Sequence, residues 1–214
     1  GPTGPSGVAG GLDDLSDAKV EGTSIWVGHQ TTGTLSSATW NTFVGQGSGE
    51  ALTQGDRNVG IGYNSAKYLT TGGSNILIGM IAGERVTTES NIVAIGDQSG
   101  MGSYGKTQGS WSVYVGSNAG KYGGNDTGRD NVAIGYKALM GDQTNTSGAS
   151  YNVAVGREAM PAITTGDNNV SVGMESSHDI STGWANAVVG KSAMASVTTH
   201  YKNCLLYTSP SPRD

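Results

Sequence analysis

The chain has 214 residues, of which 36 are glycine, one is phenylalanine and 14% are charged, for a net charge of −5. Glycine at about one residue in six, against a usual ~7%, leaves little material for a conventional globular core. The mildly negative balance offers no basic footprint for nucleic acid or anionic membrane, and no apolar run reaches the ~20 residues of a membrane-spanning helix; neither nucleic-acid binding nor membrane insertion is expected, and no signal peptide is visible.

Residues 1–10 read Gly-Pro-Thr, Gly-Pro-Ser, Gly-Val-Ala, Gly. This is a collagen-like triplet run, in which glycine occupies the crowded axis of three intertwined chains. Three triplets do not hold a triple helix alone, so the run is expected to be the end of a longer trimeric stalk. Residues 11–22 form an acidic junction in which Leu12 and Leu15, three apart, suit one helical turn or an irregular link.

Residues 23–203 are a repeat. Asn131-Val132-Ala133-Ile134-Gly135 returns as Asn58-Val59-Gly60-Ile61-Gly62, Asn152-Val153-Ala154-Val155-Gly156 and Asn169-Val170-Ser171-Val172-Gly173. Aligned on the closing glycine there are ten copies, ending at Gly28, Gly45, Gly62, Gly79, Gly96, Gly116, Gly135, Gly156, Gly173 and Gly190, spaced 17, 17, 17, 17, 20, 19, 21, 17 and 17. A fixed period in this range marks a stacked-repeat architecture.

Before each glycine stands a β-branched aliphatic: Val27, Val44, Ile61, Ile78, Ile95, Val115, Ile134, Val155, Val172 and Val189. Two positions earlier come Ile25, Thr42, Val59, Ile76, Val93, Val113, Val132, Val153, Val170 and Ala187. This period-two pattern predicts a β-strand in every copy. The pre-glycine column is expected to be the repeat core, facing its own coil. The residue between the two columns, from Trp26 and Phe43 to Ser171 and Val188, is expected to face sister chains. Small residues three beyond the glycine, such as Ser65, Ala82 and Ala138, allow a second backbone segment to pack closely. Thr70-Thr71-Gly72, Thr127-Gly128, Thr164-Thr165-Gly166 and Ser181-Thr182-Gly183 close the coil as turns. Asn41, Asn58, Asn75, Asn131, Asn152, Asn169 and Asn186 share one register and are expected to form an amide ladder, interrupted at Ser24, Ile92 and Ser112.

The fold class expected is therefore all-β: a repetitive parallel β-solenoid, or β-roll, of about ten 17-residue coils and roughly 50 Å in length at about 4.8 Å per coil. Two apolar strand faces and the triplet run make it a homotrimer, with two sister chains as partners. Residues 204–214 break the repeat in mid-copy and resemble the translation of a transposase-type sequencing adapter; they are read as non-native. The single cysteine, Cys204, goes with them, leaving no thiol for disulfide or metal chemistry elsewhere.

The Asn-x-Val-Ala-Ile-Gly copies, with the pairs Ala138-Leu139, Ala159-Met160 and Ala193-Met194, resemble tail-fibre proteins of tailed bacteriophages and the head domains of trimeric autotransporter adhesins. The resemblance implies trimeric β-rolls that project from a surface and carry host attachment. The 17-residue, Thr-Thr-Gly-punctuated form beside a collagen-like run is closer to the phage fibres. A structural and adhesive fibre segment without enzymatic activity is thus expected, on a virion tail or at the cell surface, with a host glycan or protein as receptor. The alternatives are a bacterial adhesin head and a polysaccharide-depolymerising tailspike.

The coils from Gly96 to Gly156 carry extra residues in the loops 101–110, 121–130 and 141–150, and Tyr104, Trp111, Tyr122 and Tyr151 are the candidate receptor contacts. Glu158 and Glu175, at one register in adjacent coils, are the sharpest enzyme hypothesis, a retaining-glycosidase pair. That position is otherwise filled by Gln30, Asn64, Gln98, Asn118 and Lys137, which reads as a polar surface site. His29, His178 and His200 share no register, Asp56, Asp130 and Asp167 fall in non-adjacent coils, and Gly45-Gln46-Gly47-Ser48-Gly49 lacks the lysine of a phosphate loop. No catalytic residue, cofactor or metal is expected.

Overall fold

The computed structural model describes residues 18–21, 23–28, 37–103, 109–123, 128–142, 148–196 and 198–207; the collagen-like run and the Leu12/Leu15 junction lie outside them. Among the described residues there are twelve strands: β1 Ala18–Glu21, β2 Ser24–Val27, β3 Thr42–Val44, β4 Val59–Ile61, β5 Ile76–Ile78, β6 Val93–Ile95, β7 Val113–Val115, β8 Val132–Ile134, β9 Val153–Val155, β10 Val170–Val172, β11 Ala187–Val189 and β12 Cys204–Leu206. They make one sheet in sequence order. From β2 onward every pairing is parallel and joins equivalent residues of successive coils, as in Val59↔Ile76 and Ile61↔Ile78. The chain is a β-solenoid, and no helix occurs among the described residues. The junction differs from its expected form, because Ala18–Glu21 doubles back antiparallel on β2, with Glu21 opposite Ser24. Cys204–Leu206 continues the parallel ladder on β11.

The strand faces are reversed relative to the sequence expectation. The middle residues Trp26, Phe43, Gly60, Leu77, Ala94, Tyr114, Ala133, Ala154, Ser171 and Val188 are the ones buried inside the coil. Val44, Ile61, Ile95, Ile134 and Val189 of the supposed repeat core face outward, with Ile61 38% and Ile134 42% exposed, while Val27, Ile78, Val115, Val155 and Val172 are half-buried. The reason is room. A three-residue strand turns either its centre or both its ends inward, and the thin interior of one coil takes the single centre residue.

That interior is filled by three columns. Where the middle residue is Phe43, Leu77 or Tyr114, the residue four beyond the closing glycine is itself glycine: a Cβ on Gly49 would lie 2.6 Å from Phe43 Cδ1, and one on Gly83 2.6 Å from Leu77 Cδ2. Where it is alanine, as at Ala133 and Ala154, the buried Leu139 and Met160 take the space. The third column, seven beyond the glycine, consists of the buried Leu52, Leu69, Val86, Ile163 and Ile180. In the three coils with inserted loops its register is held by Ser103, Gly123 and Asp142, so the insertions coincide with the loss of this aliphatic anchor. Trp26 and Phe43 stack at 5.6 Å between ring centroids and close the first coils.

Tyr114 is the exception inside this core. Its hydroxyl is buried beside Ser112 and Asn131 without a well-formed hydrogen bond, and burial pushes its pKa up to about 12 from 10.0. The folded-state value lies above the unfolded one, so the phenol's contribution to stability is whole below pH ~10. It is lost as pH rises from ~10 to ~12, by roughly 2–3 kcal/mol. Urea unfolding midpoints at about pH 9 and about pH 11.5 should therefore diverge more in the natural chain than in Tyr114→Phe. Equal pH responses of the two proteins would refute it.

Candidate receptor-contact edge

The corner that leads into each strand is built from a repeated backbone device. From the coil of Gly45 onward the residue five before each strand-closing position, which is Tyr207 in the last coil, is left-handed: Trp40 (φ 57°), Arg57 (58°), Ser74 (60°), Asn91 (61°), Trp111 (57°), Asp130 (55°), Tyr151 (58°), Asn168 (58°), Ala185 (55°) and Lys202 (57°). From Arg57 onward its N–H donates to the carbonyl six before the closing glycine of the preceding coil, as in Trp111 to Ser90, Tyr151 to Arg129 and Lys202 to Trp184. These bonds hold the corner as one straight column along the rod. Two carboxylates brace it. Asp56 accepts the Thr39 N–H at 2.7 Å and its hydroxyl at 2.9 Å, the backbone bond first and the hydroxyl second holding its pKa below the usual carboxylate range. Asp167 takes the Ser150 N–H at 2.7 Å in the same way.

Just inside the corner runs the asparagine ladder. Each interior member is saturated: Asn58 Nδ2 donates to Asn41 Oδ1 and Gly72 O, both at 3.0 Å, while its Oδ1 accepts the backbone N–H and Nδ2 of Asn75, also at 3.0 Å. The ladder runs from Asn41 to Asn75, is closed by the Ile92 N–H, resumes at Asn131 and extends to Asn203. It fixes the corner against the strand, so side chains on the corner project from a rigid edge.

Along the corner of the inserted coils lies an open groove of about 650 Å³, lined by Trp111 and Tyr151 with Glu89, Ser110, Arg129, Ser150 and Asp167. Glu89 is engaged locally, accepting the N–H groups of Thr87 at 2.7 Å and Thr88 at 3.1 Å. Arg129 Nε stands 3.8 Å from Asp130 Oδ2, and both side chains are open to solvent. The groove thus offers two aromatic rings, a guanidinium and hydroxyls to a polar ligand.

Of the four candidate contacts, Trp111 and Tyr151 are brought together here. Tyr104 lies outside the described residues. Tyr122 does not join them; it lines a separate recess of about 460 Å³ with Lys137, Met140, Asp142, Glu158 and His178. Tyr122 stands six residues past Gly116, whereas Trp111 and Tyr151 stand five before their closing glycines, so the coil carries them at different points of the turn. Glu158 sits in that second recess with its carboxylate 3.5 Å from Arg157 Nε, and Glu175 follows in the same register one coil on. His178 Nδ1 is 2.7 Å from Asp179 Oδ1. Arg129, Trp40, Trp184 and Tyr201 escaped the sequence reading, and Asp167 entered it only as an aspartate in a non-adjacent coil; each stands five or six residues before a strand-closing position, an offset that marks the corner only once the coils are stacked.

Among the described residues no group of three His, Cys, Asp or Glu side chains is placed to hold a metal ion, and no helix is long and apolar enough to cross a membrane. No protein family, curated protein or solved structure matches the chain.

Proposed function

We propose that this chain is a segment of an elongated homotrimeric fibre, structural and adhesive in role, of the kind by which a tailed phage attaches to its host. The observation that carries the reading is the outer face of the sheet. Ile61, Ile95, Ile134 and Val189, with Ile76 and Val170 beside them, line it with exposed β-branched side chains along the rod. A continuous apolar face of this length is a mark of association. Three copies set around an axis cover it with identical faces, and the collagen-like triplets of residues 1–10 favour the same threefold number. Such a rod projects from a virion tail or cell surface and offers its outer corners to a host glycan or protein. The same repeats serve the head of a bacterial trimeric adhesin; immunogold labelling of phage particles against bacterial cells separates the two.

Sedimentation equilibrium at micromolar concentration should give three times the chain mass. Ile95→Asp combined with Ile134→Asp should reduce it to one chain while preserving the β-sheet circular dichroism, because both side chains already face outward. A single-chain mass for the unmutated protein would sink the trimer. Release of reducing ends from host-surface polysaccharide would favour a depolymerase instead.

A further inference from the structure

Three of the four tryptophans, Trp40, Trp111 and Trp184, are exposed on the one corner described above, Trp40 to 56% and Trp111 to 55%; the fourth, Trp26, is buried. Tyr151 and Tyr201 share that corner and are also exposed. Trp40, Trp111 and Tyr151 moreover occupy left-handed backbone, at φ values of 57°, 57° and 58°. A bulky side chain is disfavoured there, whereas asparagine, which fills the position at Asn91 and Asn168, tolerates it. Large rings that add nothing to the coil's interior and sit where the backbone resists them point to a role outside the fold.

We infer that this corner is a linear polysaccharide-binding ridge, on which Trp111 and Tyr151 receive the C–H faces of pyranose units along the rod. The inference rests on the attachment reading and names its ligand class. Trp111 and Tyr151 share one register two coils apart, about 10 Å at roughly 4.8 Å per coil, and Trp184 lies two coils further on, one position earlier in its coil. Trp184 and Tyr201 instead stack on each other at 5.5 Å with an interplanar angle of 8°, which takes one face of each ring, so the sugar seats are Trp111 and Tyr151. Between the aromatics the corner carries Asp130 and Asn168, while Arg57 and Lys202 lie over the rings of Trp40 and Trp184 at 5.0 Å. A protein partner needs a contiguous apolar patch with a polar rim. Rings alternating with polar and cationic groups at a regular pitch match a polymer whose C–H faces alternate with hydroxyl and acidic edges. The groove beside Trp111 and Tyr151 gives the polymer its widest seat.

Tryptophan emission reads the ridge directly, since the buried Trp26 contributes a constant background. The full chain is titrated with lipid-free bacterial O-polysaccharide and with dextran, each size-fractionated, with acrylamide quenching recorded in parallel. The expected result, for at least one of them, is protection from quenching and an affinity that rises with polymer length. The double variant Trp111→Asn and Tyr151→Asn should lose about tenfold or more in affinity, with an unchanged sedimentation mass and a Tm equal to or above that of the natural chain. No response to either polymer, equal affinity for short and long fractions, or a response the double variant retains overturns the ridge. If the tryptophans of the free trimer are already shielded from acrylamide, sister chains cover the corner; the ridge then fails while the fibre stands. A single-chain mass with length-dependent binding would do the reverse.

Discussion

Asn58→Ala is expected to lower stability by roughly 3–6 kcal/mol, read as a shift of the urea midpoint at constant slope. Asn58 is fully buried and uses both amide hydrogens and both lone pairs of its oxygen. Its removal strands the N–H and Nδ2 donors of Asn75, and leaves Asn41 Oδ1 and the carbonyl of Gly72 without its amide hydrogens, in an interior that water does not reach. Each buried group left unpaired costs about 1–3 kcal/mol, whereas an average hydrogen bond contributes only about 1 kcal/mol net. Asn58→Asp should be no better, because a carboxylate cannot donate to Asn41 or Gly72. The coil with Ile92 shows how the ladder ends safely: the Ile92 N–H satisfies Asn75 Oδ1, and no amide follows that would need an acceptor from it. A loss below about 1 kcal/mol for Asn58→Ala would mean that the ladder is not what holds the corner to the strand.

Gly62→Ala should be comparably damaging, on the order of 2–6 kcal/mol, by a different route. At φ 128° this residue lies beyond the left-handed region that side chains sometimes enter, and a Cβ would stand 2.5 Å from the carbonyl oxygen of Gly79 in the next coil. The coil spacing is set by the sheet's hydrogen bonds, so neither backbone can withdraw. Gly47→Asn is the matched control. Two residues past its closing glycine, at φ 72°, it belongs to a column in which Asn64, Gln98 and Glu158 already carry side chains at φ values of 53°, 54° and 53°. A Cβ there would meet Asn64 Oδ1, the end of a side chain that can rotate away, unlike the backbone carbonyl facing Gly62, so the cost should stay within about 1 kcal/mol. Equal losses at the two sites would refute the distinction between the glycine types.

The groove was half legible. Trp111 and Tyr151 could be named because large aromatics in a chain with so few are conspicuous beside inserted loops. Arg129 could not, and Asp167 read only as one of three scattered aspartates, since a lone charge in a turn carries no signal until the neighbouring coil is placed against it. Tyr122 shows the limit of reading insertions as one face: it leaves the coil at a different point of the turn and lines another recess. The aliphatic column Leu52, Leu69, Val86, Ile163 and Ile180 was readable in principle, but it breaks across the irregular coils, where a fixed period no longer finds it.

The sequence by itself determined the repeat, its register and hence the parallel solenoid, because identical short strands at a near-constant spacing have one economical way to pair. It determined the asparagine ladder for the same reason. Which strand face turns inward was decided only by the tertiary structure. Alternation places Val132 and Ile134 on one side and Ala133 on the other, and both sides are apolar. The choice falls to the width of the coil, which admits one side chain per strand and matches its size to the residue at Gly49, Gly83, Leu139 or Met160 across the interior. That choice turns the valines and isoleucines outward and lays the apolar face along the rod on which the fibre proposal rests.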